Sequence, residues 1–199
     1  DEKTGNAYFA SHELHGATEQ QVWVARQNGR RECLTPRAGW HIAAFSTDYR
    51  YFLHSWSDLN TPAHYEICSD GGKSLTTLID NSQLTEQLRK YNLGKRELLT
   101  ITTAEGIQLH AWMVKPAGFD PSKRYPVVMY QYGGPGSQQV KNQWAIGMVA
   151  QGAMMEQYLC EQGFLCVCVD NRGTGGRGAE FEKCTYQKLG QLEAHDQVE

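Results

Sequence analysis

The first eighty residues repeat, and that repeat restricts the fold more than any other feature of the chain. Tyr8-Phe9 recurs as Tyr51-Phe52, and the turn pair Asn28-Gly29 recurs as Asp70-Gly71, a period of about 42–43 residues. Short strand-like runs fill each period: Ala7 to Ser11, Gln21 to Arg26, Arg31 to Leu34, then Trp40 to Phe45, Tyr51 to Ser55, His64 to Cys68 and Ser74 to Ile79. Val22 and Val24 fall on one face of their strand and Trp23 on the other. Asn28-Gly29 predicts a type I′ hairpin turn, in which both central residues need φ > 0. Four short strands in roughly 40–45 residues is the pattern of a β-propeller blade. Residues 40–79 supply one full blade, and residues 7–36 supply the last three strands of the blade before it. Two blades cannot close a ring of about four to eight. The pattern therefore leaves a small meander or sandwich as the alternative, unless more blades precede. Both ends of the sequence read as cuts: it enters a strand almost at once and stops inside a helix.

The pattern changes after residue 80. Ser82 can cap a helix, and Leu84, Leu88 and Tyr91 recur at helical spacing. The reading is a propeller part over 1–80, a connector helix over 81–94 and a second domain over 95–199. In that domain Leu98 to Thr103 and Ile107 to Val114 flank Ala104-Glu105-Gly106 as an antiparallel hairpin, and Pro126 to Tyr132 is a third strand. A helix is expected over Trp144 to Gln162, stopped by Gly163, with further helical pieces over Ala179 to Lys188 and Gln191 to Glu199. Phe164 to Val169 shows no polar alternation. A strand buried on both faces points to a parallel sheet. With only part of such a sheet present, that strand is expected to have an unpaired edge.

Lys and Arg number 19 against 22 Asp and Glu, for a net charge of −3, which argues against a nucleic-acid binder relying on bulk positive charge. No apolar run reaches the ~18 residues of a membrane span. The six cysteines lack the paired Cys-x-x-Cys spacing of a zinc site and read as buried thiols; no metal or cofactor is expected. Gly173-Thr174-Gly175-Gly176-Arg177-Gly178 has the Gly-x-Gly-x-x-Gly form. It starts three residues after its strand and lacks the acidic residue about 20 positions on, so a plain glycine-rich turn is the better account. His12, His15, His41 and His54 read as surface or core residues, and Glu193 with Asp196 as a solvated helix face. Tyr130-Gln131-Tyr132-Gly133-Gly134-Pro135-Gly136 follows an apolar strand, where adjacent glycines can bring backbone N–H groups close to a ligand. No Gly-x-Ser-x-Gly nucleophile elbow occurs.

Tyr125-Pro126-Val127-Val128 leading into Tyr132-Gly133-Gly134-Pro135-Gly136-Ser137-Gln138 resembles the oxyanion-loop segment of the prolyl oligopeptidase family, in the form found among its dipeptidyl peptidase IV-like members. Asp170-Asn171-Arg172-Gly173-Thr174-Gly175 resembles that family's Asp-x-Arg-Gly-Ser/Thr-Gly turn, and Leu189-Gly190 with Asp196-Gln197-Val198-Glu199 the helix after it. The resemblance implies β-propeller blades followed by the N-terminal part of an α/β-hydrolase sheet. It implies a bacterial-type serine exopeptidase that releases N-terminal Xaa-Pro or Xaa-Ala dipeptides, exported or periplasmic and homodimeric. It places the family's serine, aspartate and histidine beyond Glu199 and its amino-terminus-binding acids before Asp1. Two roles carry over: Tyr132 as the oxyanion tyrosine, and Pro135 near the second substrate subsite. Acylaminoacyl or prolyl tripeptidyl peptidases, or a non-catalytic relative acting as a binding module, are the alternatives. A segment without the nucleophile is expected to be inactive alone.

Overall fold

The computed structural model describes residues 1–147 and 154–199. These form two compact units, Asp1–Gln87 with Asn142–Trp144, and Leu88–Lys141 with Ala145–Glu199.

The first unit holds two antiparallel sheets. β1 (Ala7–Ser11), β2 (Gln21–Ala25) and β3 (Arg31–Cys33) make a three-stranded meander. β4 (Trp40–Phe45), β5 (Tyr51–Ser57), β6 (His64–Ser69) and β7 (Ser74–Ile79) make a complete four-stranded one. These are propeller blades, the first with three strands. Strand alternation builds the core: Val22, Val24 and Leu34 meet Phe52 and Cys68, with Tyr8, Ala43 and Phe45 packed on them.

The turns correct one expectation. Gly29 takes φ 84° but Asn28 stays out of the positive region, so the turn is not type I′. Gly29 N donates to Arg26 O at 2.8 Å, and Arg26 N donates to Arg30 O at 2.8 Å. This is a three-residue loop whose last residue is a left-handed glycine. The same two bonds recur as Gly72 N to Ser69 O and Ser69 N to Lys73 O, with Gly72 at φ 80°. The structural partner of Gly29 is therefore Gly72 rather than Gly71. That shift gives the turns the same spacing as Tyr8 and Tyr51.

α1 (Ser82–Leu88) is shorter than the helix expected over 81–94. The second unit is a mixed sheet of β8 (Arg96–Thr102), β9 (Gln108–Val114), β10 (Val127–Tyr130) and β11 (Leu165–Asp170), in the order β10-β11-β9-β8. β10 and β11 run parallel; β11–β9 and β9–β8 are antiparallel. This order is that of the first four strands of an α/β-hydrolase sheet.

Three expectations change here. β11 is central, with a partner on each side, and the edge falls on β10. A strand apolar on both faces gains most from a central place: Cys166 and Cys168 pack with Trp112, Val114 and Cys160 on one face, and Val167 and Val169 with Leu109 and Ala111 on the other. Residues 144–147 are not helical, and Ala145 has φ 63°; α2 spans Met154–Glu161, and the intervening part of the expected helix lies outside the described residues. Finally, α3 (Ala179–Lys183) ends five residues early, while α4 (Gln191–Val198) follows Gly190.

Residues 142–144 serve the first unit. Asn142 N donates to Thr18 O at 2.7 Å, its Nδ2 donates to Glu19 Oε1 at 2.8 Å, and its Oδ1 accepts from Leu59 N at 2.9 Å. One polar side chain thus ties two loops of that unit, a role that helical periodicity does not reveal.

Candidate functional site

The second unit brings two glycine-bearing loops together at the carboxyl ends of β10 and β11. In open α/β sheets this is the edge where ligands bind, because the connections there leave the sheet in crevices. The loop after β10 carries Tyr132 to Val140, and the loop after β11 carries Asn171 to Gly178. Their backbones bond to each other: Gly175 N donates to Ser137 O at 2.8 Å, and Gly136 N donates to Gly173 O at 3.3 Å. The Gly-x-Gly-x-x-Gly stretch is therefore a scaffold for the neighbouring loop, consistent with a plain turn.

Two residues at the end of β11 fix the first loop. Asp170 is buried, and its carboxylate accepts from Gln139 N at 2.9 Å and from Val140 N at 2.9 Å. Burial pushes its carboxyl above the usual aspartate range, against those two N–H groups and the charges of Lys141 and Arg177. Asn171 is fully buried; its Nδ2 donates to Gly133 O at 3.1 Å, and its Oδ1 accepts from Gln197 Nε2 at 3.1 Å. A Cβ on Gly133 would stand 1.9 Å from Asn171 Oδ1, so only glycine lets the loop close on that amide. Ser137 Oγ donates to Tyr132 O at 3.0 Å and completes the bracing.

Arg172 anchors the second loop to α4. Its Nη2 meets Asp196 Oδ1 at 2.6 Å, its backbone N donates to Asp196 Oδ2 at 2.7 Å, and its Nη1 meets Glu105 Oε2 at 2.8 Å. The bond to Asp196 raises the pKa of the guanidinium further. Asp196 and Glu193 are thus buried, which corrects the reading of a solvated helix face. Glu193 accepts from Gly190 N at 2.9 Å and caps α4.

Of the two residues singled out by the sequence, Tyr132 stands 61% exposed, and its hydroxyl has no hydrogen-bond partner among the described residues. Pro135, three residues on, lines an apolar cleft of about 520 Å³ with Thr185, Tyr186 and Leu189; Tyr132 does not line it. The loop thus carries an exposed phenol at Tyr132 and, three residues on, an exposed proline at the rim of an apolar cleft. Sequence reasoning quoted Asp170, Asn171 and Gln197 only as parts of the resembling segments and gave them no bracing role, because their partners lie about thirty residues away.

Comparison with known proteins fits this geometry. Residues 1–63 match the dipeptidyl peptidase IV N-terminal region, and residues 152–199 match the prolyl oligopeptidase family. Dipeptidyl peptidase 4 of Trichophyton rubrum is 33% identical over 208 residues, covering 100% of this chain and 26% of that protein. The Arthroderma otae dipeptidyl peptidase 4 is 32% identical over the same span. The crystal structure of Porphyromonas gingivalis dipeptidyl peptidase 4 superposes with a TM-score of 0.90 at 38% identity, covering 98% of this chain and 27% of that one. The chain thus spans about a quarter of the length of these relatives. With blades at its start, the hydrolase strand order after them and a match to each part, the chain belongs to the prolyl oligopeptidase family, among its dipeptidyl peptidase IV-like members.

Proposed function

We propose that the full-length protein carrying this chain is a serine exopeptidase that releases N-terminal dipeptides whose second residue is proline or alanine. The observation that carries this reading is Tyr132: an exposed phenol whose hydroxyl has no hydrogen-bond partner among the described residues, on a loop held by Asp170 and Asn171 at the carboxyl edge of a hydrolase-ordered sheet. A serine outside this chain would attack the carbonyl after the second residue, with a histidine taking its proton and an aspartate orienting the histidine. As the carbonyl oxygen gains charge, the Tyr132 hydroxyl would donate to it, alongside a backbone N–H next to the serine. Pro135 and its apolar cleft would face the second substrate residue, where a small or cyclic side chain fits best. On this reading the protein is an exported homodimer acting on peptides, and the 199-residue chain alone, without a nucleophile, is inactive.

The test is a panel of chromogenic amides offered to the full-length protein: Gly-Pro, Ala-Ala, an N-acetylated alanine and a prolyl tripeptide. Release from the first two, abolished by a serine-directed inhibitor, is the expected result. Preference for the acetylated amide or the tripeptide would assign one of the neighbouring activities instead, and no turnover of any amide by a folded protein would make it a binding module.

A further inference from the structure

The most unusual chemistry outside the candidate site lies in the complete blade. Strand register places three ranks of side chains on one face: Phe45, Phe52 and Cys68; Ala43, His54 and Glu66; His41, Trp56 and His64. Most of this face is core, yet it carries a run of polar contacts. His41 Nε2 lies 2.9 Å from the Arg37 carbonyl oxygen, His41 Nδ1 lies 2.8 Å from His54 Nε2, and His54 Nδ1 lies 2.9 Å from Glu66 Oε1. His41 and His54 are both buried.

These contacts can be counted. The carbonyl and the carboxylate only accept, so each of the three contacts needs one cation between two lone pairs. Two neutral imidazoles supply two protons. His41 gives its Nε2 proton to the carbonyl, which leaves Nδ1 to accept from His54 Nε2–H. His54 Nδ1 then points a lone pair at the Glu66 carboxylate. With the tautomers assigned in this order, the shortfall of one positive charge falls in that gap. A third donor atom converges there: Cys68 Sγ, His54 Nδ1 and a Glu66 oxygen all lie within 4.8 Å of one another. The outward atoms of the set are already held, His54 Nε2–H by His41 and Glu66 Oε2 by the hydroxyl of Ser74. Hydrogen bonds of this kind orient metal ligands and fix the tautomer of a ligating histidine.

We propose that His54 Nδ1, Glu66 and Cys68 Sγ bind one divalent zinc-type ion that staples β5 to β6. One nitrogen, one oxygen and one sulfur suit a borderline-soft ion with tetrahedral preference, not magnesium or calcium. The fourth position falls to water. Charge balances. Binding displaces the proton between His54 and Glu66 and the thiol proton of Cys68, both to solvent, and leaves Zn²⁺ with one carboxylate and one thiolate, neutral overall and fit for a buried site. A search for Cys-x-x-Cys or His-x-x-x-His spacing misses this set because its members come from two strands.

The experiment uses the full-length protein with any affinity tag removed, stripped by chelator and dialysed against micromolar Zn²⁺ or Co²⁺. Elemental analysis should find about one ion per chain at this site, and the cobalt form should show a thiolate-to-cobalt absorption band in the near ultraviolet. Cys68→Ser should remove the band and weaken zinc binding about tenfold or more, and His54→Gln should weaken it likewise. Cys184→Ser, at an exposed thiol, should leave both readings unchanged. A folded wild-type protein that takes up no stoichiometric zinc overturns the proposal and leaves a proton in the gap. Equal binding by wild type and Cys68→Ser overturns it as well.

Discussion

At Asp170 two opposing effects act on one carboxylate. Burial favours its neutral form, whereas the N–H groups of Gln139 and Val140 favour the charged one, and burial prevails. Because the folded carboxyl holds its proton more tightly than the unfolded one, its stabilisation is fully present below an unfolded pKa of about 3.9 and is lost as pH rises through the folded value. Chemical denaturation across that window should show the stability advantage of wild type over Asp170→Asn shrinking as pH rises. An advantage that grew with pH would mean that the two N–H donors outweigh burial. The loop fastening itself is tested by Asn171→Ala, which leaves the Gly133 carbonyl and the Gln197 amide without their buried partner. The expected cost is about 1–3 kcal/mol, measured by denaturant unfolding, together with a fall in kcat from a loosened Tyr132. An unchanged kcat in the folded variant would separate the fastening from the tyrosine.

Among the elements, the two glycine-ended hairpins make a matched experiment. Gly29 and Gly72 have nearly the same φ, 84° and 80°, and close the same pair of hydrogen bonds. A Cβ on Gly29 meets nothing within 4 Å, but one on Gly72 would stand 2.4 Å from Leu34 O. Gly29→Ala should cost only the left-handed backbone penalty, about 1–2 kcal/mol. Gly72→Ala should cost clearly more, and equal losses on thermal or urea unfolding would refute the close approach. In α2, Glu156 is buried against Arg96 at 3.1 Å, and Arg96 lies 4.2 Å above the Trp112 ring. Arg96→Met should cost about 3–5 kcal/mol, because it removes the cation that faces a buried carboxylate. A loss below about 1 kcal/mol on urea unfolding would show that the buried Glu156 does not depend on Arg96. These elements also show what the sequence could carry. Short strand-like runs between turn signals located β1, β4 and β7 to the residue; β4 buries alternate residues, whereas every residue of β7 is exposed and its bounds come from the turns on either side. The turn type was misread because Asn-Gly serves a left-handed pair and a left-handed final glycine equally well. Burial of Asp196 was invisible because its partner, Arg172, is set by a tertiary contact and leaves no mark on helical spacing, whereas the partner of Glu193 is local, the Gly190 N–H three residues back, and was missed because the acid was read by helix face rather than as a cap.

At the scale of the whole molecule, the resemblance rested on loop residues and proved sound. The placement of β11 did not follow from its composition, because an apolar strand does not say which neighbours it has. The sheet ends on β10, where Val127 and Met129 are more than a third exposed. An open edge of this kind pairs readily with another chain. The isolated 199-residue chain should therefore associate in light scattering, and Met129→Lys should reduce that; a clean monomer at high concentration would contradict it. The central claim is that this chain supplies the oxyanion tyrosine of a larger peptidase, and it is tested most directly by Tyr132→Phe in the full-length protein, which keeps the ring and removes only the hydroxyl. A donor aimed at charge that develops only in the transition state acts on kcat more than on KM. Steady-state kinetics on a Gly-Pro amide should show kcat falling about 10²–10³-fold, or roughly 2.7–4 kcal/mol, with KM nearly unchanged. A folded Phe variant with kcat within about threefold of wild type, less than ~0.7 kcal/mol, would make Tyr132 a bystander and contradict the account.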